Sequence, residues 1–191
     1  MIKGVILHHT NGVVDDPKAD TGHHTVDIIN NWHKQLWDFK SVLGWYVGYT
    51  YVIERSGKVT KCREEMEEGA HTRGFNIGYI GICVVGNFDR AEYFMLPEQK
   101  EALIDLLRGL LFKYPNISIK GHRYYSWKSC PGTRFTDEVI KQLVLQATEP
   151  EKKEELLKKK KTLLEKILGL LFKIKSLIIT RQLGGRSCSS R

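Results

Sequence analysis

The chain has 191 residues, 41% of them hydrophobic and 27% charged, enough for one core-bearing domain of ordinary size and an appendage. Its formal charge of +8 is unevenly spread: from Glu149 onward there are twelve Lys/Arg against five Asp/Glu, leaving 18 against 17 in residues 1–148. A nearly neutral main domain gives no support to a basic groove, and no nucleic-acid partner is expected.

In chain order, Ile2 to His8 reads as a buried strand, β-branched and continuous, ending in the pair His8-His9. Residues 11–24 are a loop rich in Asp, Gly and His. Thr25 caps a helix that runs to about Leu36, with Ile28, Ile29 and Trp32 on one face. Tyr46 to Glu54 reads as a strand carrying Tyr49. Ser56-Gly57 is a turn signal, and Lys58 to Cys62 pairs back as a hairpin. Ile77 to Val85 is a second buried strand. Pro97 opens a helix whose apolar face includes Leu103, Leu106, Leu107 and Leu110, and Pro115 ends it. Ile117 to Lys120 is a short strand that delivers His122 to its end. Phe135 to Gln146 is a further helix. Alternating strands and helices predict an α/β fold, a central mixed sheet flanked by helices.

The four cysteines, Cys62, Cys83, Cys130 and Cys188, have no CxxC spacing and fit a reduced compartment. Cys83 lies in an apolar run and reads as a core thiol; Cys62 has no evident role. The start, Met1-Ile2-Lys3-Gly4-Val5-Ile6-Leu7, lacks the long apolar run and cleavage site of a signal peptide, so a cytoplasmic location is expected.

Three residues stand out chemically. His8 ends the first strand, and His122 and Cys130 lie eight residues apart in Gly121-His122-Arg123-Tyr124-Tyr125-Ser126-Trp127-Lys128-Ser129-Cys130-Pro131. Two imidazoles and a thiolate are a three-ligand zinc set with a fourth position open to water, as a hydrolytic site requires. They meet only if the first strand and the 117–120 strand are neighbours. Spacing alone leaves the plain alternative open: a strand-end His that is merely hydrogen-bonded, and a Cys without a role. Lys128 suits the oxyanion formed when water adds to an amide, and Tyr49 suits orienting the water or the intermediate.

Five ordered segments add a resemblance. Val5-Ile6-Leu7-His8-His9-Thr10, Gly48-Tyr49-Thr50-Tyr51-Val52-Ile53, Gly69-Ala70-His71-Thr72-Arg73-Gly74-Phe75-Asn76 followed by Ile80-Gly81-Ile82 and Gly86-Asn87, then Gly121-His122 and Lys128-Ser129-Cys130-Pro131-Gly132, are similar to the zinc-dependent N-acetylmuramoyl-L-alanine amidase family. That family includes short phage lysozymes and the peptidoglycan recognition proteins. The resemblance covers roughly residues 1 to 145 by aligned motifs. It implies a mixed sheet with flanking helices and one zinc ion held by His8, His122 and Cys130. It also implies Tyr49 and Lys128 as catalytic pair, and cleavage of the amide between N-acetylmuramic acid and L-alanine of peptidoglycan. His71 falls where the family has a groove-lining His; substrate contact and fixing the Gly69–Gly74 turn are both open. Arg73 and Asn76 are placed along the same groove. His9 should point to the opposite sheet face by strand alternation.

The leading expectation is a phage or prophage endolysin that accumulates in the host cytoplasm and acts on the wall. Alternatives are a peptidoglycan-binding or polymerase-regulating module on the same fold, since some phage amidases of this type bind an RNA polymerase, and a muropeptide-recycling amidase. The expected domains are 1–148 for catalysis, 149–183 as a cationic amphipathic helix and 184–191 as a disordered end. In the tail, Leu156-Leu157, Leu163-Leu164, Leu170-Leu171 and Leu177-Ile178 recur every seven residues among many lysines. Three roles fit that stripe: binding an anionic membrane or lipopolysaccharide surface, self-association, or packing on the enzyme. Charges within Thr162–Thr180 argue against a transmembrane span.

Overall fold

A computed structural model describes residues 1–11 and 20–149, together with 162, 164, 165, 167 and 169 of the tail. Met1–Thr148 forms one compact unit and Glu149–Arg191 a second. Glu149, where the expected helix begins, is not helical, and the five described positions beyond it are; the other residues of 150–183, the 184–191 end and residues 12–19 of the expected loop lie outside the described residues.

The first unit is built on β1 (Gly4–His9), β2 (Tyr51–Ile53), β3 (Val59–Lys61), β4 (Tyr79–Val84) and β5 (Ser118–Gly121), in the order β3-β2-β4-β1-β5. β2 and β3 are antiparallel across the Ser56-Gly57 turn, where Gly57 takes φ +82°. The β2–β4, β4–β1 and β1–β5 pairs are parallel, so the predicted mixed sheet is present. Three helices flank it: α1 (Val26–Trp37), α2 (Pro97–Lys113) and α3 (Asp137–Thr148).

Alternation along the strands gives the sheet two buried faces. Val5 and Leu7 of β1, with Ile80, Ile82 and Val84 of β4, join Leu103, Leu107 and Leu110 of α2 and Ile140 and Leu143 of α3 in the main core. Each such side chain contributes about 1.5–3 kcal/mol by leaving water. On the other face Val52 and Cys83 meet Val26 and Ile29 of α1, with Val47 and Cys62. His9 points into the main-core side, stacked on Phe88, as alternation predicts.

Three local expectations need correcting. The strand predicted from Tyr46 begins only at Tyr51, so Tyr49 sits on irregular chain. The backbone there bonds elsewhere: Gly48 N–H donates to His33 Nδ1, and its carbonyl accepts Ala70 N–H. β4 starts at Tyr79 rather than Ile77, because Gly78 turns the chain with φ +78°. Finally, α1 is capped by Thr25 as predicted, but it buries Val26, Ile29 and His33. Ile28 and Trp32 are 42% and 45% exposed. A buried hydrogen bond makes His33 acceptable on the inner face, which apolar patterning does not register.

Candidate metal centre

The parallel register of β1 and β5 pairs Leu7 with Gly121, so the next residue on each chain, His8 and His122, emerge side by side at one end of the sheet. Their ring centroids are 4.6 Å apart. Cys130 comes in from the segment after the His122–Tyr124 turn, its sulfur 3.7 Å from His8 Nδ1. One donor atom from each of the three lies within 4.8 Å of the others, the only such His/Cys/Asp/Glu group among the described residues. All three are nearly buried, at 2%, 9% and 8% exposure for His8, His122 and Cys130.

The donor set fits a zinc ion. Tetrahedral zinc, with bonds of about 2.0–2.1 Å to nitrogen and 2.3 Å to sulfur, separates an N and an S ligand by about 3.6 Å. The His8–Cys130 distance is close to that value. Burial, then the neighbouring His71 and His122, holds His8 well below its ordinary pKa; burial, then Lys128, holds His122 at about 4. Both rings are therefore neutral at pH 7 with a lone pair to give. Burial pushes the Cys130 thiol up to about 12, opposed by the His9 backbone N–H, Lys128 and Arg123. Ionising this thiol needs a cation beside it, so metal binding here would release a proton.

His8 uses its other nitrogen, Nε2, toward His71 Nδ1 at 3.1 Å. If Nδ1 faces a metal, Nε2 carries the proton and donates to His71, the usual way a ligand imidazole is oriented. His71 is itself wedged in place. A Cβ at Gly69 or Gly81 would come within 2.6 Å or 2.7 Å of its Cδ2, so only glycine leaves room for the ring. Burial sets the His71 pKa at about 4, against a raising pull from the Tyr79 backbone. Thr72 Oγ1 lies 3.0 Å from His71 Nδ1.

An open cleft of roughly 870 Å³ exposes the cluster. Tyr49 lines it, 5.1 Å ring to ring from His8. Burial, then Cys83 and Cys130, keeps its hydroxyl protonated, with a pKa well above the ordinary value. Lys128, Arg73 and Asn76 also line the cleft. The Asn76 carboxamide oxygen is occupied by the His71 and Thr72 N–H groups, so it also shapes the turn that carries His71. Every residue singled out in the sequence thus borders one cleft. Trp32, His33, Trp37 and Trp127 border it too, though none was read from the sequence as a site residue; Trp127 is 94% exposed.

Residues 1–133 match the N-acetylmuramoyl-L-alanine amidase family, a span that holds both histidines and the cysteine. The chain belongs to that family. Among curated relatives, the endolysin of Escherichia phage T7 is 37% identical over 107 residues, covering 54% of this chain and 66% of that protein. The chain thus spans just under two thirds of that phage relative's length. Peptidoglycan-recognition protein SC1a of Drosophila melanogaster is 31% identical over 138 residues, 70% of each chain. Among solved amidase structures, the N-acetylmuramoyl-L-alanine amidase LysC of Clostridium intestinale superposes with a TM-score of 0.59 at 32% identity, covering 74% of this chain and 83% of that one.

Proposed function

We propose that the chain is a zinc-dependent amidase that hydrolyses the bond between N-acetylmuramic acid and L-alanine in peptidoglycan, working as a phage-type endolysin. The observation that carries this reading is the meeting of His8, His122 and Cys130 with Tyr49 and Lys128 in one open cleft. Family membership and the endolysin and amidase relatives support it.

His8 Nδ1, His122 and Cys130 would hold the ion. Bound zinc lowers the pKa of its water to about 7 and polarises a carbonyl. Tyr49 lines the cleft, and its protonated hydroxyl would serve as a donor orienting the nucleophile or the tetrahedral oxygen. Lys128 brings a positive charge to the side where the oxyanion forms. His71 fixes the plane of His8, and Arg73 with the Asn76 turn lines the path for the stem peptide.

The 149–183 segment would add a cationic apolar surface suited to anionic membrane or lipopolysaccharide, with self-association the competing role; its seven-residue stripe and lysines support this. Among the described residues no helix is long and apolar enough to cross a membrane. The protein would gather in the host cytoplasm and act on the wall after release.

The test is cleavage of purified muropeptides, read by mass. Free stem peptide with an L-Ala N-terminus, lost on chelation and restored by zinc, is expected, along with an inactive Cys130→Ala protein. Full activity in that variant overturns the ligand assignment, and binding without cleavage favours a recognition module. In the same series, chains lacking 149–191 should cut purified wall normally but lyse intact cells less; equal lysis removes the membrane role.

A further inference from the structure

Cys130 lies on a stretch with neither helix nor strand, between the His122–Tyr124 turn and α3. A sulfur ligand on irregular chain holds a fixed place only if other groups tie that chain down. The geometry points to Asp89 as a positioning residue for the metal centre, its carboxylate tying the Cys130 segment to the loop after β4, beside the end of β1.

Asp89 follows β4 by five residues and its side chain is 24% exposed. Its Oδ2 accepts the Ser129 hydroxyl at 2.7 Å and its Oδ1 accepts the Thr133 N–H at 2.8 Å. These two partners bracket Cys130, one on each side. The same Oδ2 lies 3.8 Å from Nε2 of His9. His9 Nδ1 accepts the Phe88 N–H at 3.1 Å, so the neutral ring keeps its proton on Nε2, facing Asp89. His9 in turn adjoins His8 in sequence, at the end of β1. One carboxylate is therefore bonded to both flanks of Cys130 and faces, at 3.8 Å, the ring of the residue next to His8.

The Arg123 guanidinium, donating to the Gly132 and Phe135 carbonyls, and neighbouring backbone bonds add to the attachment. Arg134 N–H donates to the Phe88 carbonyl at 2.9 Å, and Arg123 N–H to the Cys130 carbonyl at 2.6 Å. Those bonds are made by main chain, whereas Asp89 is the side chain that accepts from both sides of the cysteine. A carboxylate suits the task because it offers two acceptor oxygens and no competing donor.

The inference rests on the zinc reading, and its test separates the two. Zinc affinity would be measured by competition with a chromophoric chelator, and the sulfur–metal bond followed by the charge-transfer band of the cobalt-loaded protein. Asp89→Ala should lower zinc affinity about 10–100-fold and shift or weaken that band. Ser129→Ala, which removes one arm at the surface, should lose less. Asp89→Asn should recover part of the loss, because Oδ1 still accepts the Thr133 N–H. A role confined to the fold would lower the unfolding midpoint of metal-free protein and leave zinc affinity intact. Wild-type zinc affinity in both Asp89→Ala and Ser129→Ala overturns the inference. Absence of zinc binding by the wild type, or undiminished binding by Cys130→Ala, overturns the zinc reading itself.

Discussion

Replacing His33 with Asn tests whether burial of a neutral imidazole beside the cleft costs the protein stability in acid. The ring is 1% exposed, and its Nδ1 accepts the Gly48 N–H at 2.9 Å, one residue before Tyr49. Burial, with a smaller push from Arg63, holds its pKa at about 4, against an ordinary 6.5. The folded state therefore binds the neutral ring, while the unfolded chain takes up a proton already near pH 6.5. The sign follows: the His33 contribution is complete above pH 6.5 and is lost as pH falls toward 4. At 1.36 kcal/mol per pKa unit, the shift is worth roughly 2.5 kcal/mol between pH 7 and pH 4.5. Asn keeps a side-chain acceptor and does not titrate. Urea unfolding of metal-free protein across that range should show the wild type losing roughly 2.5 kcal/mol more than His33→Asn. His9 and His71, also held at about 4, titrate in both proteins and cancel in the difference. Parallel stability profiles for the two proteins would refute the argument.

Two further substitutions probe the scaffold. Arg63 is fully buried, and its guanidinium donates to the carbonyls of Val47, Glu68 and Phe39. Lysine cannot reach three such acceptors in that geometry, so Arg63→Lys should cost at least about 3 kcal/mol in denaturant unfolding, from buried carbonyls left unpaired; an unchanged midpoint would contradict this. Leu107 is also fully buried, in the core on the sheet face away from α1. Leu107→Ala should lose about 2–5 kcal/mol of stability while the folded protein keeps its zinc affinity; a large affinity loss would show that the centre depends on that core.

Much of the fold was legible because the relevant signals are local. The apolar run ending at His8, the Ser56-Gly57 turn, Thr25 as a cap, and Pro97 and Pro115 around α2 each act within a few residues. The structure places all four as read, with boundaries moved by a residue or two. The reading failed where distant partners decide. Tyr49 lies in a segment of strand-like composition, yet the Gly48 N–H before it is taken by His33, and the strand starts later. The face of α1 was misassigned because a hydrogen-bonded histidine takes an inner position that Ile28 or Trp32 would have been expected to fill.

The candidate site divides the same way. Residue types and order suggested His8, His122 and Cys130 with Tyr49 and Lys128, and the family resemblance added His71, because a candidate metal set and its partners must be specific side chains whatever the distance between them. That these residues form one cluster was decided by the parallel register of β1 with β5, which sets His8 beside His122 across 114 positions of chain. The tertiary structure also decided which nitrogen of His8 turns to Cys130, the wedging of His71 between Gly69 and Gly81, and the attachment of the cysteine segment to Asp89. None of these has a sequence period, since each is a contact between segments whose separation along the chain is unrelated to their separation in space. Chemistry is written in residue identity; its geometry comes only from the pairing of strands.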